Sequence, residues 1–174
     1  MIKKAYLAGG CFWGLEDLVR QQLGVVDTEV GYTGGLNDNP TYQNHPGHAE
    51  GLQISYDDTK TSYRAILDYF FRVHDPTTLD RQGNDVGASY RSAIFYQDDA
   101  ELSDAKEMIR LVNESGNWPN PVVTTLEPFA KFWPAEDYHQ DYYANNPTQS
   151  YCNFVIPPKL AKLKQYFSGF MIEQ

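Results

Sequence analysis

The segment 2-IKKAYLAGGCFWGLEDLVRQQLG-24 changes its hydrophobic period halfway along. Residues 2–8 read as a short strand that ends at Gly9-Gly10. From Phe12 onward, Leu15, Leu18, Val19 and Leu23 recur at helical spacing, and Gly24 marks the stop. Glu16 and Asp17 fall in the first turn of that predicted helix, where carboxylates suit the positive end of the helix dipole. The same alternation continues outward. Residues 25–33 are β-rich and end in Gly34-Gly35, residues 36–48 carry loop formers, and Leu52, Ile54 and Tyr56 alternate as a strand. Thr61 or Ser62 caps a predicted helix reaching Val73, with Ile66, Leu67, Phe70 and Phe71 on one face. A glycine-containing loop over 75–89 leads to a strand at 92–96. The order is therefore β-α-β-β-α-β, that of the split βαβ or ferredoxin-like unit. The expected fold class is α+β: a two-layer sandwich around that unit, with additional helices and a long irregular C-terminal tail. The additional elements are a helix over 100–113, a strand over 122–126, a short helix over 138–143 and a last helix over 159–167 after Pro157-Pro158. No repeat or linker interrupts the pattern, so residues 1–174 are expected as one domain with 144–174 as its tail.

Fourteen Lys and Arg face 23 Asp and Glu, a formal net charge of −9. That balance opposes binding to nucleic acid or to an anionic membrane surface, both of which need clustered cations. With 41% hydrophobic and 21% charged residues, the chain has the means to form a core and is a poor fit to disorder. No run approaches the length of a membrane span. Lys3 and Lys4 before the uncharged residues 5–15 resemble a short signal peptide, but Glu16 and Asp17 follow at once and no small-x-small cleavage site is present. The expected compartment is the cytoplasm, and a monomer is the expected state.

Only two cysteines are present, Cys11 and Cys152, which excludes a disulfide-dense scaffold and a four-cysteine zinc site. Cys11 stands where the first strand hands over to a helix. Amide N–H groups at a helix N-terminus favour thiolate over thiol, and flanking glycines let a substrate approach closely. Phe12 and Trp13 follow directly, at a helix start that is a poor place to bury both. Read alone, Cys11 is equally a small buried cysteine, Glu50 a solvated strand residue, Asp85 a turn former and His139 a polar surface or packing residue. His48-Ala49-Glu50 has the H-x-E form of zinc deaminases, but the P-C-x-x-C pair they need is absent. A cysteine hydrolase pairing Cys11 with His45, His48, His74 or His139 would leave Cys152 unexplained.

Gly10-Cys11-Phe12-Trp13-Gly14 resembles the signature of the peptide methionine sulfoxide reductase A family. Further blocks that resemble the family follow in order: Gly31-Tyr32-Thr33-Gly34-Gly35, Asn39-Pro40-Thr41-Tyr42, Gly47-His48-Ala49-Glu50, His74-Asp75-Pro76-Thr77, Arg81-Gln82-Gly83-Asn84-Asp85, Tyr90-Arg91-Ser92-Ala93-Ile94 and Ala135-Glu136-Asp137-Tyr138-His139-Gln140. The resemblance implies reduction of methionine S-sulfoxide, free or in proteins, to methionine, as part of the repair of oxidised proteins. It implies Cys11 as the nucleophile, Glu50 as a carboxylic acid kept protonated by apolar surroundings, Tyr42 and Tyr90 as donors to the sulfoxide oxygen, and Phe12 and Trp13 as the methyl pocket, with Asp85 lining the same site. It implies Cys152 as a resolving thiol on the tail: the Cys11 sulfenic acid would condense to a Cys11–Cys152 disulfide, recycled by thioredoxin or another external dithiol, with no bound cofactor and no metal. Two departures stand out. The loop between Tyr42 and Gly47 is shorter than in many relatives, and Gln149-Ser150 precede Tyr151 where many place a glycine. A non-enzymatic methionine-peptide binding module on the same fold is disfavoured, because Cys11, Glu50 and both phenols are all present.

Overall fold

The computed structural model describes residues 1–83 and 85–140. Its elements are β1 (Ile2–Gly9), α1 (Phe12–Arg20), β2 (Val25–Thr33), β3 (Ala49–Asp57), α2 (Tyr63–Val73), β4 (Arg81–Gln82), β5 (Asp85–Val86), β6 (Ser92–Tyr96), α3 (Asp99–Ser115), β7 (Thr125–Pro128) and β8 (Phe132–Pro134). Single 3-10 turns cover Ala88–Tyr90 and Asp137–His139. The class is α+β: a mixed six-stranded sheet in the order β7-β6-β1-β3-β2-β8, with a two-stranded β4-β5 ribbon beside it.

The β1 strand runs antiparallel to both β3 and β6, and β2 runs antiparallel to β3, while β6 and β7 are parallel. Side chains alternate across the pleat, so one face collects Ala5, Leu7, Val30, Tyr32, Leu52, Ile54, Tyr56 and Ile94, all buried. Against that face pack Phe12, Leu15, Leu18 and Val19 of α1, Ile66, Leu67, Phe70 and Phe71 of α2, and Ala105 and Met108 of α3. Each fully buried Leu, Ile or Phe there contributes roughly 1.5–3 kcal/mol relative to exposure.

The other face is built from small side chains, Ala8, Ala49 and Ala93, around Tyr6 and Phe95. Phe129 and Phe132 close over it, with Phe129 stacked on Tyr6 at 3.9 Å between centroids. Phe129 opens the short bridge that joins β7 at one edge to β8 at the other, and Phe132 begins β8. A flat sheet would separate those edges by about 24 Å, beyond the roughly 14 Å that four extended residues reach. The sheet is therefore rolled. Gly34, at φ +81, shows how tightly: a Cβ there would lie 2.7 Å from Phe95 Cε1 and 3.2 Å from Glu127 Oε1.

Local rules account for most element ends. Ser62 caps α2 by accepting from Ala65 N, and Asp98 caps α3 by accepting from Glu101 N, while Gly116 at φ +75 ends α3. Five expectations shift. Glu16 and Asp17 lie beyond the first turn of α1, which holds no acid, and both are buried. The first helix stops at Arg20, because Gln21 and Gln22 bond back to Leu18 and Val19 in a tightened turn, leaving Leu23 exposed. The strand expected at 122–126 forms at Thr125–Pro128, where it pairs with β6. The loop over 75–89 contains the β4-β5 ribbon, and the helix expected from 138 is a single turn over Asp137–His139. The remainder of that segment, the tail 144–174 and the helix expected over 159–167 lie outside the described residues. No helix among the described residues is long and apolar enough to cross a membrane.

Candidate active site

Cys11 is the N-cap residue of α1, with an extended backbone (φ −60, ψ 124). The turn that delivers it needs Gly10 at φ +91, where a Cβ would come within 2.6 Å of Gln82 Cγ. Gln82 is fixed in turn by paired bonds to the backbone of Asp75, donating from Nε2 to Asp75 O and accepting from Asp75 N, both at 2.8 Å. The ribbon thus braces the turn that carries the thiol. Cys11 is a free thiol and half-buried.

The sequence leads to an expectation of a thiolate favoured by helix N–H groups, and the structure revises it. Burial pushes the Cys11 thiol well above the usual thiol range, and the Glu50 charge pushes the same way. The N–H groups of Trp13 and Gly14 pull it down, with neither closing a capping hydrogen bond to sulfur, and Asp85 adds a smaller upward push. The two leading upward effects differ in kind, because the second vanishes once Glu50 is protonated.

Glu50 lies on β3 in the same phase as Leu52, Ile54 and Tyr56, directly opposite Tyr32 of β2. It is 1% exposed, so the expectation of a solvated strand residue does not hold. Desolvation pushes its carboxyl up to about 8, opposed by a hydrogen bond from Phe12 N at 3.3 Å and assisted by the charge of Asp85. At neutral pH the carboxyl is therefore mostly protonated, beside the sulfur, with that amide tying Glu50 to the first turn of the helix Cys11 caps.

Facing this pair is an aromatic wall. Phe12 is fully buried, against the expectation that the helix start leaves it open, and its ring meets Tyr32 at 5.6 Å and His139 at 5.1 Å. Trp13 stacks on Tyr42 at 6.2 Å and donates from Nε1 to His139 Nδ1 at 2.8 Å. The Tyr42 and Tyr90 phenols lie close enough to act on each other electrostatically, and both sit in the field of Glu50. Burial raises both above the ordinary phenol range, so they stay protonated donors. Asp85, on β5, acts on Cys11, Glu50 and both phenols through its charge, which places it at the same site.

The structure thus brings Cys11, Phe12, Trp13, Tyr42, Glu50, Asp85 and Tyr90 together, while Cys152 lies outside the described residues. It also gives a part to two residues of the block 135–140, Glu136 and His139, the latter a polar surface or packing residue when read alone. His139 is 1% exposed and forms the back of the aromatic wall. Glu136 accepts from Tyr32 Oη at 3.1 Å and from Tyr42 N at 3.3 Å, and its Oε2 lies 3.9 Å from His139 Nε2. These contacts span about a hundred residues of chain, so no local spacing announces them. Glu50 did leave a signal: a carboxylate two residues before Leu52 in the buried phase of a strand. Among the described residues, no three His, Cys, Asp or Glu side chains converge in a way that would hold a metal ion. What the site offers is a sulfur, an uncharged carboxyl able to give up a proton, two hydroxyl donors and an apolar aromatic recess.

The model of the family described as peptide methionine sulfoxide reductase matches residues 3–169. A peptide methionine sulfoxide reductase MsrA from Mycobacterium sp. (strain MCS) is 58% identical over 166 residues, covering 93% of this chain and 97% of its own. Among solved structures, Mxr1 from Saccharomyces cerevisiae in reduced form superposes with a TM-score of 0.81 at 36% identity, covering 90% of each chain. The same yeast protein in complex with Trx2 matches with a TM-score of 0.59 at 32% identity, covering 81% of this chain and 84% of that one. The chain belongs to the peptide methionine sulfoxide reductase A family of oxidoreductases, the enzymes that the carboxyl, thiol and aromatic recess at the end of this sheet are suited to serve.

Proposed function

We propose that the protein reduces the S epimer of methionine sulfoxide, free or in a polypeptide, through Cys11. The observation that carries this reading is the protonated, buried Glu50 tied to the first turn of the Cys11 helix. The substrate methyl group lies against Phe12 and Trp13, and its oxygen takes hydrogen bonds from Tyr42 and Tyr90. Cys11 attacks the sulfoxide sulfur as a thiolate. The thiolate forms as Glu50 gives its proton to the sulfoxide oxygen and the resulting carboxylate takes the Cys11 thiol proton, which restores the carboxyl. That attack forms an S–S bond between Cys11 and the substrate. The substrate S–O bond then breaks, the departing hydroxide adds to the Cys11 sulfur, and the S–S bond breaks with its electron pair left on the substrate sulfur, giving methionine and a Cys11 sulfenic acid. A neutral Glu50 also suits the attack, because it removes the repulsion that holds the thiol up.

The sulfenic acid then condenses with Cys152, releasing water and leaving a Cys11–Cys152 disulfide, which an external dithiol reduces. The yeast relative's complex with Trx2 supports a thioredoxin in that role. Residues 1–174 act as one catalytic domain whose segment 144–174 carries the resolving thiol, and the interleaved order β6-β1-β3-β2 is read as the split βαβ unit expected from sequence. A reducing compartment such as the cytoplasm suits a cycle of free thiols.

The deciding assay follows thioredoxin-coupled loss of each epimer of a methionine sulfoxide substrate. Reduction of S alone is expected, with none by Cys11→Ser. Cys152→Ser should form about one methionine per protein and then stall with thioredoxin. Reduction of R, or full turnover by Cys11→Ser, would overturn the assignment.

A further inference from the structure

The short loop between Tyr42 and Gly47 holds a histidine that the proposed chemistry does not use. Residues 41–44 form a tight turn closed by reciprocal backbone bonds, Thr41 N to Asn44 O at 3.0 Å and Asn44 N to Thr41 O at 3.1 Å, so Tyr42 stands at its tip. His45 follows the turn and folds back across it. Its Nδ1 lies 2.8 Å from Thr41 O, and a carbonyl only accepts, so Nδ1 carries the proton. Its Nε2 lies 2.8 Å from Ser89 Oγ, which donates to it in the neutral ring. Thr41 immediately precedes Tyr42, and Ser89 immediately precedes Tyr90. The ring itself is set by stacking on the fully buried Tyr32, with centroids 4.9 Å apart and planes 21° from parallel.

We propose that His45 is a positioning residue, a strut that fixes the separation of the Tyr42 and Tyr90 hydroxyls by bridging the two loops at the residues just before them. This rests on the reading of those phenols as donors to the sulfoxide oxygen. One imidazole reaches both loops because its two nitrogens lie on opposite sides of a rigid ring, which a flexible side chain does not reproduce. Arg91 ties the same loops nearer their roots, donating from Nη1 to Gly47 O at 3.1 Å and to Ala88 O at 2.8 Å while its guanidinium is held by Glu127. Arg91 therefore keeps the loops together when His45 is replaced, and the loss is confined to their tips. The strut is not a binding contact, so its removal acts on the reacting geometry rather than on substrate affinity.

The test uses the full chain, pre-reduced, with single-turnover formation of methionine from methionine S-sulfoxide. His45→Phe keeps a ring for Tyr32 and removes both bonds. It is expected to slow the step about 10-fold, since small misplacements of positioned groups are felt strongly, with KM held within about threefold. Ser89→Ala should give a smaller loss in the same direction. In a Tyr42→Phe/Tyr90→Phe background, His45→Phe should change the rate less than about twofold, because the groups it positions are gone. If His45→Phe does not fold, His45→Gln, which retains one of the two bonds, should show a partial loss that likewise disappears in the double-phenylalanine background. An equal loss in both backgrounds, or an undiminished rate in His45→Phe, overturns the strut alone. Full activity of Tyr42→Phe/Tyr90→Phe overturns the reading of the phenols, and the strut with it.

Discussion

The two walls of the pocket are built on opposite terms. Phe12, Trp13, Tyr42 and His139 are packed ring against ring, with Trp13 bonded to His139, so every contact that shapes this wall also favours the folded chain. Cys11, Glu50 and Asp85 are gathered against their electrostatic interest. Glu50 is desolvated, Asp85 repels it, and its charge in turn opposes ionisation of the thiol. One wall adds to the stability of the fold, whereas the other is a cost that the rest of the fold offsets.

The strongest way to break this contrast is Glu50→Gln. Loss of the proton donor should slow single-turnover methionine formation at least about 100-fold, the scale of a general acid. The same change should stabilise the protein. An unfolded chain releases the Glu50 proton near the ordinary carboxylate value of about 4.3, while the folded site holds it to about 8. Folding therefore takes up a proton between those limits, and stability declines as pH rises through them. The substituted protein lacks this decline and should gain on the order of 4–5 kcal/mol relative to the parent at pH 8, read as a higher melting temperature. The activity of the parent should fall as pH rises through about 8, a limb that Glu50→Gln loses. Equal pH dependence of stability in both proteins would remove the basis of the comparison.

Phe12→Ala probes the other wall. Emptying a fully buried ring position should destabilise the fold by about 3–5 kcal/mol, measured by urea unfolding. The smallest effect is expected from Trp13→Phe, which keeps an aromatic surface and removes only the N–H bond to His139. A loss of about 1 kcal/mol in stability and a severalfold rise in KM, with the single-turnover rate at saturation nearly unchanged, would sharpen the division between recognition and chemistry.

The two walls also differ in how far they could be read from sequence. Cys11 is legible because the strand, the glycine pair and the helix are contiguous, whereas Glu50, read alone as a solvated strand residue, is picked out only by the resemblance although it stands in the buried phase of β3. His139 and Glu136 stand in a block that resembles the family, but their own spacing gives them no part in the wall. Their partners Trp13, Tyr32 and Tyr42 lie about a hundred residues away, and nothing local distinguishes a histidine that receives an indole N–H from one facing water. In the fold, β1, α2, β6 and α3 follow from period and caps within their own residues. The edge strands do not. β7 takes its place from pairing with β6, and β8 pairs only through Phe132–Pro134 at the outer side of β2, where its final proline is tolerated. Two-residue strands such as β4 and β5 are too short to carry any period.

The bridge across the back of the rolled sheet also sets an order in time. Cys11, Tyr42, Glu50, Asp85 and Tyr90 all belong to the first stretch of chain to emerge during synthesis, and β1, β3 and β6 can pair before the rest exists. Glu136 and His139 follow β8, which docks on β2 only after the bridge has crossed from β7. The thiol is made early and the aromatic wall beside it is completed late, so a nascent chain carries its sulfur before the wall that faces it is finished.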